Sequence, residues 1–158
     1  MNYVIVGTGR MGKTHMLAAH SLGLTVAGVC DRSDARMEAI ANEFSLTKGQ
    51  CFKQPESMFA SVRAPLVLIA TTADCHAELV ALAAKHSRYI LCEKPMATSL
   101  KDAQNMIATC EEHNTHLAIN HQMRFMDQYT LIKDELAGDH LGRLGSMNVV
   151  TGNIGLAM

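Results

Sequence analysis

A glycine-rich segment near the amino terminus restricts the possible fold more than any other feature of the chain. It reads Gly7-Thr8-Gly9-Arg10-Met11-Gly12 and directly follows a short apolar run at residues 3–6. A helical pattern at residues 10–22 begins inside the segment and ends at Gly23. A GxGxxG segment between a strand and a helix is typical of the first turn of a parallel α/β sheet.

The rest of the chain alternates between short apolar runs and helical patterns. Residues 66–70 contain no polar side chain, which is typical of a strand that is covered on both faces. We therefore predict an α/β fold with a doubly wound parallel sheet. Further strands are predicted at residues 24–30, 50–52, 89–92 and 117–120. Helices are predicted at 33–44, after Pro55, from a cap at Asp74 to about residue 86, and from a cap at Ser99 to about residue 112. After residue 124 the rhythm changes to a helix at 127–137 and a strand at 144–151.

Composition excludes several classes of protein. The net charge of −1 gives no electrostatic footprint for a nucleic acid or an anionic membrane. No window approaches the ~20 apolar residues of a membrane span, and the first residues lack a signal-peptide pattern. The five cysteines are odd in number and lack CxxC spacing. We expect free buried thiols in a cytoplasmic protein, rather than a disulfide framework or a metal site.

The three glycines of the segment have separate predicted roles. Gly7 permits a tight turn, Gly9 lets the backbone approach a diphosphate, and Gly12 allows close helix–strand packing. Free N–H groups and the helix dipole favour a bound diphosphate. We therefore expect a Rossmann domain that binds a dinucleotide; a glycine-rich turn without a ligand is the alternative. The whole segment is expected to contact the cofactor, including Thr8, Arg10 and Met11.

Asp31 ends the second predicted strand, where a ribose contact is expected. Its carboxylate can accept hydrogen bonds from ribose hydroxyls and would repel a 2′-phosphate, so we expect NAD(H) as the cofactor. NADP(H) remains the alternative because the neighbouring Arg32 could hold a phosphate or stack on adenine. Asp31 could instead merely cap the next turn.

Two further segments follow predicted strands and should line the same crevice. The small hydroxyls of Thr71 and Thr72 suit a cofactor phosphate or ribose. His76 begins the next helix, where it could reach the crevice or be a partly exposed first-turn residue.

The other segment is Glu93-Lys94-Pro95. A partly desolvated Lys94 near a cationic nicotinamide ring would have its ammonium form disfavoured. It could then act as a general acid/base toward an alcohol or carbonyl.

Taken together, these segments resemble the N-terminal part of the glucose–fructose oxidoreductase / inositol dehydrogenase / MocA family of NAD(P)-dependent oxidoreductases. The resemblance runs over nearly the whole chain. It is carried by the glycine segment with His15, Asp31-Arg32, residues 71–76, Glu93-Lys94-Pro95, residues 120–125 and residues 141–146.

The resemblance implies roles for individual residues. Lys94 would be the catalytic lysine, and Glu93 would orient the cofactor ribose or the lysine. The loop at Thr71 and Thr72 would contact the cofactor, although members often carry Pro-Asn at positions 72 and 73. Arg124 would lie near the nicotinamide or the substrate entrance.

The resemblance also implies a domain organisation and a reaction. Residues 1–124 would form the Rossmann domain, and residues 125–158 the start of an incomplete C-terminal α+β domain for substrate binding and oligomerisation. We expect a fragment of a longer protein, or a shortened homologue that dimerises through the strand at 144–151. The expected activity is hydride transfer between nicotinamide and a CH–OH carbon of a sugar, polyol or related small molecule, in a homo-oligomer. A non-catalytic NAD(P)-binding module or sensor is the alternative, and an S-adenosylmethionine site is a third.

Overall fold

The computed structural model describes residues 1–138 together with Gly142, Arg143, Gly145, Ser146 and Asn148. Apart from these isolated positions, the strand predicted at residues 144–151 lies outside the described residues. The chain divides into two compact units, Met1–Asn120 and His121–Met158. The domain boundary expected at residue 124 stays a prediction.

The first unit is built on one sheet of six parallel strands in the order β3-β2-β1-β4-β5-β6. This is the order of a Rossmann fold, with the chain reversing its winding direction between β1 and β4. The predicted doubly wound sheet is confirmed. Its strands are β1 Asn2–Val6, β2 Thr25–Cys30, β3 Cys51–Phe52, β4 Leu66–Ile69, β5 Tyr89–Glu93 and β6 His116–Asn120.

In the first unit five helices connect the strands, and where ends were predicted they lie within two residues of the observed ones. The Ser99 hydroxyl accepts a hydrogen bond from the Asp102 backbone at 3.1 Å, so the predicted cap of the fifth helix is confirmed. The helices are α1 Arg10–Ser21, α2 Asp34–Glu43, α3 Pro55–Ser61, α4 His76–Ala84 and α5 Leu100–Glu112.

The predicted cap of α4 is wrong. Ala73–Cys75 form a 3₁₀ turn, and α4 begins only at His76, with Cys75 at the N-cap position. The Asp74 carboxylate instead accepts a hydrogen bond from the Thr72 side chain, which lowers the pKa of Asp74. A short polar side chain can thus satisfy a turn rather than a helix end.

Alternating strand residues form two cores, one on each face of the sheet. Val4 and Val6 pack in one core, which also holds side chains of α3, α4 and α5. Tyr3 and Ile5 pack in the other, with Met16 of α1 and side chains of α2. The apolar run of β4 contributes to both cores, as expected of a strand covered on both faces.

The second unit contains a 3₁₀ turn at Gln122–Phe125, which was not predicted, and the helix α6, Asp127–Ala137, which was predicted at these residues. Within the described part of the chain, no helix has the length and apolarity needed to span a membrane. All five cysteines are free thiols, and three of them, Cys30, Cys92 and Cys110, are buried.

Candidate cofactor and active site

Two of the three motif glycines are required by the packing of the chain itself. Gly7 has φ +91°, and a Cβ there would lie 2.5 Å from the carbonyl oxygen of Ala70. A Cβ on Gly12 would lie only 2.0 Å from the carbonyl oxygen of Gly7. Both distances are far below van der Waals contact, so any side chain would displace the turn or the helix.

Gly9 is different because, among the described residues other than its chain neighbours, no heavy atom would lie within 4 Å of a Cβ at that position. The space in front of Gly9 is open, as it must be where a diphosphate approaches the backbone. Gly9 is also the N-cap of α1, with no side-chain cap and no acidic residue in the first turn. The N–H groups at the helix start, including those of Arg10 and Met11, are therefore suited to an anion. This open cradle fits a dinucleotide.

Asp31 follows β2 and is held in place by a compact set of hydrogen bonds. Its Oδ2 accepts from the backbone N–H of Thr8 at 2.8 Å and from the Thr8 hydroxyl at 2.9 Å. Its Oδ1 accepts from the Ser33 N–H at 2.9 Å, and the Nε of Arg36 lies 3.4 Å away. Burial alone would raise the pKa of Asp31, but these hydrogen bonds and the guanidinium lower it. Asp31 is thus a carboxylate oriented beside the glycine segment.

Several cations surround this carboxylate. The exposed Arg32 follows it, and Arg36 pairs with it. Lys53, just after β3, forms an ion pair with Asp34 and donates a hydrogen bond to the backbone oxygen of Arg32 at 3.4 Å. Neither Arg36 nor Lys53 was expected here from the sequence. The parallel pairing of β2 with β3, which brings residue 53 beside residue 32, is the signal that could have identified Lys53.

The loop after β4 contains the predicted threonines. Thr71 is half-buried, and its Cγ2 would lie 3.1 Å from a Cβ on Gly7, so this loop borders the glycine turn. Thr72 is exposed. His76 is fully buried at 0 % exposure, and its two ring nitrogens face the backbone oxygens of Pro95 and Thr71 at 2.9 and 3.3 Å.

Glu93, the last residue of β5, is a second buried carboxylate. Its Oε1 accepts hydrogen bonds from Nε2 of His15 and from Nδ2 of Asn120, each at 2.7 Å. Its Oε2 accepts from the backbone N–H of Lys94 at 3.2 Å. Burial alone would raise the pKa of Glu93, but the hydrogen bonds from Asn120 and His15 outweigh it and lower the pKa.

Lys94 extends from this anchored segment with its side chain exposed, and the peptide bond between Lys94 and Pro95 is cis. Within the residues that the structure describes, no ion pair involves its ammonium group. The amine is thus accessible at the carboxyl end of β5. Parallel strands bring this end to the same edge of the sheet as the glycine segment.

His15 and the segment beginning at Asn120 were singled out in the sequence, but their contacts with Glu93 were not predicted. The strand register pairs Glu93 with Asn120 directly, so the pairing of β5 with β6 would have predicted that contact. Arg124 is exposed in the 3₁₀ turn of the second unit. In the described ranges, no three His, Cys, Asp or Glu side chains form a group that could hold a metal ion.

A cavity of about 720 Å³ lies at the opposite edge of the sheet, before the starts of β4, β5 and β6. The side chains that line it include Arg63, Lys85, His86, Arg88, His113 and His116. Its lining residues lie at the starts of these strands. It is therefore separate from the site formed by Gly9, Asp31 and Lys94 at the carboxyl ends of the strands, where ligands of doubly wound sheets bind.

Comparison with known proteins gives a consistent result. The D-apiose dehydrogenase of Rhizobium rhizogenes is 30 % identical over 139 residues, which are 87 % of this chain and 40 % of that protein. The rhizopine catabolism protein MocA of Rhizobium meliloti is 30 % identical over 141 residues, 89 % of this chain and 43 % of that protein. The chain therefore spans about two-fifths of the length of these relatives.

Solved structures agree with the fold. An oxidoreductase from Agrobacterium radiobacter, in complex with NAD+, L-tartaric acid and magnesium, superposes with a TM-score of 0.84 at 28 % identity, covering 90 % of this chain and 42 % of that one. The WlbA dehydrogenase from Bordetella pertussis, in complex with NADH and UDP-GlcNAcA, gives 0.82 at 26 % identity, covering 90 % and 44 %. The model of the GFO_IDH_MocA family, an oxidoreductase family with an NAD-binding Rossmann fold, matches residues 1–121. On this match and on the fold, the chain belongs to the glucose–fructose oxidoreductase / inositol dehydrogenase / MocA family.

Proposed function

We propose that this chain is the cofactor-binding half of an NAD-dependent oxidoreductase that acts on a CH–OH carbon of a sugar, polyol or related small molecule. The single observation that carries the proposal is the accessible amine of Lys94, which shares one edge of the sheet with the open cradle at Gly9 and the buried carboxylate of Asp31. Relatives named as dehydrogenases of D-apiose and myo-inositol support the substrate class.

Each part of this edge has a task in the proposed mechanism. The backbone at Gly9, Arg10 and Met11 would hold the diphosphate, and Asp31 would accept hydrogen bonds from the adenosine ribose. When bound, nicotinamide supplies the hydride acceptor or donor. In the oxidising direction, the neutral amine of Lys94 takes the proton of the substrate hydroxyl; in the reducing direction, its ammonium returns a proton to the carbonyl oxygen.

The glycine segment, Asp31, Arg32, Thr71, Thr72, His76, Glu93 and Arg124 are proposed to serve the cofactor side of this site. For His76, full burial favours action through the backbone of neighbouring loops. For Glu93, the bonds to His15 and Asn120 favour orientation of the lysine segment. We also propose that the complete protein is a cytoplasmic homo-oligomer, which cell fractionation and light scattering would test.

The decisive variant is Lys94→Ala in the natural full-length product. Turnover on a panel of sugars and polyols should be lost, while NADH fluorescence titration should give an affinity close to that of the wild type. Lys101→Ala, an exposed lysine on α5, is the matched control and should retain activity. Full activity of the Lys94→Ala protein would refute the catalytic role.

The same panel separates the rival functions. A non-catalytic module would bind NADH with no turnover of any substrate by the wild type, and the dehydrogenases among the relatives do not favour it. Displacement of NADH by S-adenosylmethionine would support the third alternative, an S-adenosylmethionine site. Parallel titration with NADH and NADPH tests the cofactor, and a clear preference for NADPH would overturn the assignment of NAD.

A further inference from the structure

We propose that His15 and His76 are positioning residues that anchor the segment Glu93-Lys94-Pro95 at its two ends and thereby direct the side chain of Lys94. The inference rests on the proposed function of Lys94. Neither histidine would itself touch the reacting atoms.

His15 anchors the first residue of the segment. It lies on α1, the helix that begins at the glycine segment, and its Nε2 is 2.7 Å from Oε1 of Glu93. Because the partner is a carboxylate, the Nε2 of His15 carries the hydrogen and donates it. The two side chains are only 14 % and 5 % exposed, so water competes little for this bond. The other carboxylate oxygen of Glu93 accepts from the Lys94 backbone, which extends the anchor to the lysine itself.

His76 anchors the last residue of the segment. Its Nδ1 lies 2.9 Å from the carbonyl oxygen of Pro95, and its Nε2 lies 3.3 Å from the carbonyl oxygen of Thr71. Both partners are acceptors, and a neutral imidazole has one N–H. The shorter contact assigns that hydrogen to Nδ1, and hence to Pro95. The ring, at the start of α4, is therefore hydrogen-bonded to the loop after β5, and its other nitrogen only lies near the loop after β4.

The two anchors act on either side of Lys94, whose side chain has no anchor of its own among the described residues. The side chain of Lys94 is exposed, and no ion pair within the described residues holds its ammonium group. The backbone therefore sets the point from which the side chain starts and the direction of its Cα–Cβ bond. Misplacement of a catalytic group by about 1 Å can reduce the rate by about a hundredfold. Fixing Glu93 and Pro95 therefore fixes the base from which the amine reaches the substrate.

The geometry suggests substitutions that separate hydrogen bonding from packing. His15→Leu and His76→Leu remove the N–H groups while filling much of the space. His15→Gln places an amide N–H near the position of Nε2, and His76→Asn places one near the position of Nδ1, so both should rescue function. The control is His20→Leu, which changes an exposed histidine on the same helix as His15. If a leucine variant does not fold, His15→Asn or His76→Gln, whose donors are misplaced by one bond, replaces it.

The first measurement is steady-state kinetics on the natural full-length protein, together with NADH titration. We expect kcat to fall by about tenfold or more in the leucine variants, with a smaller change in the Kd for NADH. The Gln and Asn variants should recover most of the rate, and the control should match the wild type. An unchanged kcat, or a loss that the amide variants do not restore, would overturn the proposal.

The second measurement requires no activity and so separates this inference from the proposed function. Hydrogen–deuterium exchange of a peptide spanning residues 92–97 should become about tenfold faster in each leucine variant, but not in the control. Exchange at the wild-type rate would overturn the anchoring role. An inactive wild type with accelerated exchange in the variants would refute the proposed function and leave the anchors established.

Discussion

Two buried carboxylates, Asp31 and Glu93, lie at the same edge of the sheet and are both held by hydrogen bonds, but their partners differ. Each lies at the end of a parallel strand, each is less than 9 % exposed, and hydrogen bonds lower the pKa of each despite burial. Asp31 is bound by Thr8 of the glycine segment and by two residues that follow it closely in the chain. Glu93 is bound by His15 and Asn120, which lie 78 and 27 residues away.

The two networks connect different elements of the fold and therefore serve different parts of one site. The network of Asp31 joins the glycine segment to the turn after β2, where a ribose would bind, so it shapes a contact surface. The network of Glu93 joins α1, β5 and β6, so it ties the glycine helix to the lysine segment. We infer that substitutions near Asp31 act mainly on cofactor affinity, whereas substitutions near Glu93 act mainly on stability and rate.

The largest expected effect tests the glycines of the Asp31 region. Gly12→Ala should lower the free energy of unfolding by about 3 kcal/mol, because its Cβ would collide with the backbone of Gly7. Gly9→Ala should cost about 1 kcal/mol or less in stability but weaken NADH binding about tenfold or more. Urea denaturation and fluorescence titration measure both. The control is Gly49→Ala, whose Cβ would meet only the Thr47 hydroxyl, at 3.9 Å. Equal stability of Gly12→Ala and Gly9→Ala would contradict the distinction between a glycine required by packing and a glycine that faces the cofactor.

The next effect belongs to the Glu93 region. Glu93→Leu leaves the N–H groups of His15 and Asn120 without their acceptor, so we expect a loss of about 2 kcal/mol in the free energy of unfolding. Glu38→Leu, at an exposed position of α2, should change stability by less than about 0.5 kcal/mol. Chemical denaturation of both variants provides the comparison, and similar midpoints would show that Glu93 is not an anchor.

Asp31→Asn should have a smaller effect on stability and a clearer one on cofactor choice. The amide can still accept hydrogen bonds from Thr8, so we expect a stability loss of about 1 kcal/mol. Without the negative charge, the nearby Arg32, Arg36 and Lys53 would favour a 2′-phosphate. The ratio of NADPH to NADH affinity should therefore rise about tenfold. An unchanged ratio would show that Asp31 does not select the cofactor.

The smallest effect is a difference in pH dependence. The pKa values of Asp31 and Glu93 are lowered from their usual 3.8 and 4.5, so the stability they contribute is complete above those values. It is lost as the pH falls through the lower values of the folded state. Glu93→Gln should therefore flatten the acid limb of a plot of melting temperature against pH, with little effect of Glu38→Gln. An acid limb as steep as that of the wild type would contradict this linkage.

Much of the fold was predictable because it depends on local patterns. The apolar run of β4, the glycine segment and the cap at Ser99 each act over a few residues, and the structure confirms the elements they predict. The cap proposed for Asp74 failed because a neighbouring hydroxyl, Thr72, competes for the same carboxylate. Sequence spacing alone cannot decide between two local partners of similar strength.

The candidate site divides along the same line. The turn at Gly7–Gly12 and the place of Asp31 beside it were predictable from the sequence, because the geometry of one strand–turn–helix–strand unit fixes both positions. Three features follow only from the packing of the whole domain: the open space at Gly9, the bonds of His15 and Asn120 to Glu93, and the burial of His76 between two loops. These contacts depend on the strand order and on the packing of α1 and α4 against the sheet. They join residues whose separation in the chain carries no local signal.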